Sequence, residues 1–122
     1  MKRCARSLHC LLTAALLAAC NEPATRAGVV GDPQRGRLAL TQYACRACHD
    51  IPGVTGSDVH VGPSLSGLSG KRFIARNLPN TPDNLVRWIR NPRAVDPATA
   101  MPVLDVSDVD ARDMAAYLLT LD

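Results

Sequence analysis

Large aromatic side chains are scarce in this chain: one Phe, one Trp and two Tyr make up 3% of 122 residues. Small domains normally use such rings to fill their centre, so a core built from these side chains alone lacks bulk and another group is expected to supply it. Long apolar runs are also missing. The uncharged stretch Cys10 to Cys20 (CLLTAALLAAC) is well short of the ~20 residues a membrane-crossing helix needs, which excludes a polytopic membrane protein. No segment alternates apolar and polar residues over the length of a strand, and no internal repeat is visible. With 47% apolar and 20% charged residues the chain is no disordered polyelectrolyte, and its length allows one domain.

A basic excess is absent as well, despite a formal net charge of +3. Lys2, Arg3 and Arg6 stand ahead of the apolar run, the pattern of a secretory signal peptide. Taking those three cations from the total of 14 leaves 11 Lys and Arg against 11 Asp and Glu. The charge argument for nucleic-acid binding therefore fails. Leu17, Ala18, Ala19 and Cys20 resemble the lipobox of bacterial lipoproteins, which implies cleavage after residue 19 and acylation of Cys20. Acyl chains tether a protein to a membrane without crossing it. Of the five cysteines, Cys4 and Cys10 leave with the signal peptide, Cys20 carries lipid, and Cys45 and Cys48 remain. The expected organisation is a signal peptide over 1–19, a flexible lipid-anchored spacer over 20–30 (polar, with small residues, at 21–30), and a folded domain over 31–122.

Within that domain the spacing predicts helices separated by loops. Asp32 and Pro33 supply an N-cap and a proline at the first helical position, opening a helix to about Ala44 in which Gly36 implies a close approach by another helix. Asp50 to Gly70 is irregular, and a run this long in a compact domain is expected to wrap a functional centre. A short helix is expected over Lys71 to Arg76. Thr81, Pro82 and Asp83 open another, to about Asn91, with Leu85, Trp88 and Ile89 as its apolar face. An irregular run to Val106 follows. Ser107 and Asp110 then cap a last helix, Asp108 to Leu121, whose face is Val109, Ala111, Met114, Ala115, Leu118 and Leu121. The class is all-α, with three to five helices and long loops.

Cys45, Arg46, Ala47, Cys48 and His49 form C-x-x-C-H, the pattern of covalent c-type haem attachment. Two thiols a turn apart add across the two vinyl groups on one edge of a porphyrin, and the adjoining His puts an imidazole nitrogen on iron. Such a macrocycle answers the shortage of aromatic side chains. A thioredoxin-like redox pair expects a βαβ context that is absent here. A zinc site would have to use His49 and His60, eleven residues apart, outside the usual gap of about three to five.

The domain from about Gly31 to Leu121 resembles class I monohaem cytochromes c of the bacterial periplasmic type. The resemblance rests on the N-terminal helix leading into CRACH, on Gly62, Pro63, Ser64 and Leu65, on Trp88, on Ala100, Met101 and Pro102, and on a closing helix with Tyr117 and Leu118. It implies a cytochrome c-like fold around one covalent haem c, His49 as proximal ligand and Met101 as distal ligand. It also implies that the Pro63 carbonyl receives the His49 Nδ1 hydrogen, that Trp88 reaches a propionate, and that Gly36 lets the first helix cross the last near Tyr117. Arg72 and Lys71 are candidates to pair with propionates, against plain solvation. Met101 also stands out by position, on a proline-flanked loop, whereas Met114 lies on an apolar helix face. His60 is the rival sixth ligand.

The resemblance implies a membrane-anchored, periplasm-facing electron carrier that is no enzyme and takes no small-molecule substrate. Its expected partners are redox proteins such as a quinol-oxidising complex, a terminal oxidase or a periplasmic dehydrogenase. The alternative is a gas-binding sensor or a peroxidase-like haem protein with a labile Met ligand. A single Lys, Lys71, survives in the mature chain, unlike the Lys-rich haem edge of mitochondrial-type relatives, so partner choice does not carry over from them.

Overall fold

The computed structural model describes residues 31–122. The signal-peptide, Cys20 and spacer assignments lie outside the described residues. Helix α1, Pro33–Gln42, begins where Asp32 Oδ1 accepts the N–H groups of Gln34 at 2.8 Å and Arg35 at 3.0 Å, with Pro33 at the first helical position. It stops two residues before Ala44, which takes a left-handed φ of 57° and turns the chain into the haem motif. Helix α4, Asp108–Leu118, is capped by Ser107, whose hydroxyl accepts the Asp110 N–H at 3.1 Å and donates to Asp110 Oδ2 at 2.7 Å. The same carboxylate oxygen accepts Tyr43 Oη at 2.8 Å, tying the start of α4 to the end of α1.

These two helices are the main packed pair. Gly36 is buried against α4, and a Cβ placed on it would overlap the Asp113 carbonyl. The helix cost of glycine is therefore outweighed by a backbone approach that no other residue permits. The crossing falls at Asp113 and Met114, about one turn before Tyr117, the residue near which the sequence places it. The Tyr117 side chain binds elsewhere. Its hydroxyl donates to the Pro52 carbonyl at 2.7 Å, pinning the loop after the haem motif. Asp113, almost fully buried, accepts from the Asp32 N–H at 2.6 Å and from Arg35 Nε at 2.7 Å. Burial pushes its carboxyl up, but these bonds more than offset that and hold it below the ordinary aspartate range.

Helix α2, Pro82–Arg90, is capped by Thr81 and buries Leu85, Val86 and Ile89 against α4, with Trp88 half-buried. Three expectations need correction. The stretch after Pro92 is not wholly irregular: Pro92–Val95 forms a short helix α3, capped by Asn91, whose side chain accepts the Ala94 N–H at 3.3 Å. Lys71 to Arg76 is no helix. Phe73–Ile74 (β1) pairs antiparallel with Leu78–Pro79 (β2) through a turn in which Ala75 and Arg76 hold φ of 42° and 70°. Six residues without a cap nucleate a helix poorly, and burying Ile74 with Leu78 packed against the core decides for the hairpin. Val109, finally, is 63% exposed, because α4 faces the core through Ala111, Met114, Ala115 and Leu118.

The described residues thus hold four α-helices, short 3-10 turns and one two-residue hairpin, an all-α class with a cytochrome c-like fold. Loop 50–70 is held at intervals. Ser57, buried, accepts the Ile51 N–H at 3.0 Å and lies within hydrogen-bond reach of the Ile51 and Val54 carbonyls, and Ser64 Oγ donates to Asp50 Oδ2 at 2.8 Å.

Candidate haem-binding site

Left-handed Ala44 ends α1 and starts a single 3-10 turn, Cys45–Ala47, closed by Ala47 N–H to Ala44 O at 2.9 Å. The Cys48 and His49 N–H groups both donate to the Cys45 carbonyl, at 3.2 and 3.1 Å. This winding brings Cys45, Cys48 and His49 to one cavity of about 510 Å³. Its walls come from every part of the fold, including Leu40 of α1, Leu68 and Ile74 of the loop region, Leu85 of α2 and Met114 of α4. Neither cysteine is engaged in a disulfide, and both sulfurs lie at the mainly apolar wall of this cavity.

The His49 ring is held on one edge and pressed on another. Its Nδ1 lies 2.8 Å from the Pro63 carbonyl, which can only accept, so the proton sits on Nδ1 and Nε2 keeps a free lone pair. Gly62 packs flush on the ring: a Cβ there would sit 2.6 Å from His49 Cε1. The Gly62 N–H donates to the Cys48 carbonyl at 2.7 Å, so loop and haem motif are joined on both sides of the imidazole. The sequence marks Gly62 only as part of a pattern; its steric reason is tertiary.

Met101 and Trp88 are half-buried and line the same cavity. His60 is exposed and lies outside the lining. Arg72 is also outside it. Its guanidinium lies 5.8 Å from the centroid of the Phe73 ring, and the cations that do line the cavity are Lys71 and Arg76. The hairpin explains the exchange: its tight turn swings Arg76 to the cavity. Sequence reasoning missed Arg76, and it did not count Asp96, the carboxylate that shares the lining, among the haem-binding residues. The Asn91–Pro92 pair, the same N-cap and proline signature as Asp32–Pro33 and Thr81–Pro82, would have located the helix that delivers Asp96.

The residues present fit a covalent haem. The volume falls in the range of roughly 300–1,000 Å³ typical of cofactor sites, the walls are mainly apolar, and two thiols, a lone-pair imidazole and a thioether converge on it. Among the described residues no group of three His, Cys, Asp or Glu side chains is placed to hold a metal ion.

A helical domain that closes long loops over a C-x-x-C-H cavity defines the class, and comparison with known proteins gives the family. The family model for cytochrome c matches residues 33–122. Cytochrome c2 of Rhodopila globiformis is 34% identical over 105 residues, covering 75% of this chain and 94% of that protein. Cytochrome c oxidase subunit 2 of Alkalihalophilus pseudofirmus is 32% identical over 88 residues, 71% of this chain, and the chain spans only 25% of that subunit's length. The chain belongs to the cytochrome c family, as a class I c-type cytochrome whose cofactor is a covalently bound haem c. Electron transfer is the family's activity.

Proposed function

We propose that this protein is a one-electron carrier with His49 and Met101 as axial ligands, tethered by lipid at Cys20 to the periplasmic side of a bacterial membrane. The observation that carries the ligand assignment is that Met101 and His49 line one apolar cavity while His60 stands outside it. Haem supplies the ferric/ferrous couple. The chain's own residues orient the proximal imidazole through Pro63, exclude water with Leu40, Leu68, Leu85 and Met114, and offer a thioether, which favours the reduced state in cytochromes c. With both axial positions filled, no site is left for a small-molecule substrate, and electrons pass at the exposed edge near Cys45 and Cys48.

The anchoring and location rest on the sequence at residues 1–30: cations, a short apolar run, then Leu17, Ala18, Ala19, Cys20. A tether raises the carrier's local concentration near membrane-bound redox partners. The likeness to an oxidase subunit favours a terminal oxidase among them, beside a quinol-oxidising complex or a periplasmic dehydrogenase.

Absorption spectra of the matured protein, ferric and ferrous, with and without carbon monoxide, test the ligand set. A weak red ferric band from thioether on iron, lost in Met101→Ala, with no carbon monoxide shift in the parent, is the expected result. A high-spin spectrum that responds to carbon monoxide would overturn it in favour of gas binding or peroxide chemistry.

A further inference from the structure

The loop that carries Met101 is organised from one upstream residue. Asp96 closes α3, its N–H donating to the Pro92 carbonyl at 2.9 Å. Its Oδ1 then accepts the Ala98 N–H at 3.0 Å, and its carbonyl accepts the Thr99 N–H at 3.0 Å. Thr99 Oγ1 in turn accepts the Met101 N–H at 3.2 Å. The Asp96 backbone thus links the buried Pro92 to Thr99 and so to the thioether-bearing residue, while its Oδ1 braces the same turn at Ala98. The Asp96 carboxylate lines the haem cavity beside Met101 and is only 18% exposed.

Two features of that carboxylate compete as its reason for being there. Its Oδ2 faces Arg76 Nη1 at 3.9 Å, but the arginine side chain is 77% exposed. A long, solvated ion pair of this kind contributes little. The hydrogen bond from a backbone N–H to Oδ1, at 3.0 Å, is within ordinary hydrogen-bond length and has a charged acceptor, so it is the stronger of the two.

We propose that Asp96 is a positioning residue for the axial methionine: its acceptor oxygen sets the turn that presents the Met101 thioether to the haem cavity. The inference rests on Met101 being the axial ligand. Asn at this position keeps the acceptor and loses the charge, whereas Ala loses both, and Arg76→Ala removes only the ion pair.

The experiment uses the haem-loaded protein and carbon monoxide as the probe, in the parent and in Asp96→Ala, Asp96→Asn, Arg76→Ala and Met101→Ala. In Asp96→Ala the fraction of ferrous protein that binds carbon monoxide rises roughly tenfold. Hydrogen exchange at the Ala98 and Met101 amides quickens there, while α1 and α4 keep parent rates. Asp96→Asn restores both readouts, and Arg76→Ala leaves exchange at the Ala98 and Met101 amides near the parent rate. If Met101→Ala raises carbon monoxide binding and Asp96→Ala does not, the positioning role is overturned while the ligand assignment stands. If Met101→Ala itself has no effect, both are overturned. Equal damage in Asp96→Asn, or faster exchange throughout α1 and α4 in Asp96→Ala, overturns it in favour of a charge or general folding role.

Discussion

The carbonyl of Pro63 lies 2.8 Å from His49 Nδ1, and a Cβ on the residue before it, Gly62, would sit 2.6 Å from Cε1 of the same ring. One loop thereby contacts the imidazole at Nδ1 and at Cε1 and holds its position. A backbone carbonyl makes the hydrogen bond, so replacing the proline side chain leaves it intact in kind. The sensitive position is Gly62. We expect Gly62→Ala to displace the His49 ring, lower the yield of haem-attached protein and destabilise it by about 1–3 kcal/mol, the usual cost of overpacking. Haem stain against total protein, with denaturant unfolding of the attached fraction, checks this; parent yield and midpoint would refute the packing account.

Gly36→Ala sets a helix gain against a steric loss. Ala favours helix by up to about 1 kcal/mol, whereas the added methyl meets the Asp113 backbone, which cannot rotate away. Packing wins, and a net destabilisation of about 2 kcal/mol is expected in denaturant unfolding.

Acid sensitivity follows from Asp113. Its folded-state pKa is depressed, so its contribution is complete above the unfolded value near 4, and is lost as pH falls through the lower folded value. Asp113→Asn removes that part of the pH dependence and costs about 2 kcal/mol at neutral pH, where the charge-assisted bonds are intact. Unfolding free energies of parent and variant should draw together as pH falls below about 4. A constant gap across that range would remove Asp113 as the cause.

His60→Ala is expected to leave the ferric and ferrous spectra and carbon monoxide response as in the parent, since His60 is exposed and outside the cavity. A change comparable to that of Met101→Ala would reopen the choice of sixth ligand.

Trp88→Phe tests the cavity wall. The indole is half-buried and lines the cavity, so the smaller ring should lower stability by about 1 kcal/mol and shift the reduction potential by admitting water near the haem. An unchanged potential with reduced stability would make Trp88 plain packing.

The parts legible in the sequence are those encoded by neighbours along the chain. C-x-x-C-H states its chemistry within five residues, and Asp32–Pro33, Thr81–Pro82 and Ser107 with Asp110 mark helix starts because capping is a local hydrogen-bond problem. Asn91–Pro92 carries the same mark, so α3 too is encoded locally, although its four residues are too few to show an apolar period.

Other features depend on residues far apart. Whether Lys71 to Arg76 coils or pairs is decided by where Ile74 and Leu78 find apolar partners, and that choice puts Arg76, not Arg72, at the cavity. Val109 fits an apolar helical stripe in sequence and faces solvent in the fold, because the crossing with α1 selects which side of α4 is covered.

The sequence alone thus determined the haem chemistry and the helical class, each of which needs only residues within a turn or two of one another. Tertiary structure alone decided the closeness of Gly36 to Asp113, the seat of Gly62 on His49 and the turn from Asp96 to Met101. Those depend on backbone approaches and side-chain directions that arise only once the helices have packed and the loops between them have closed.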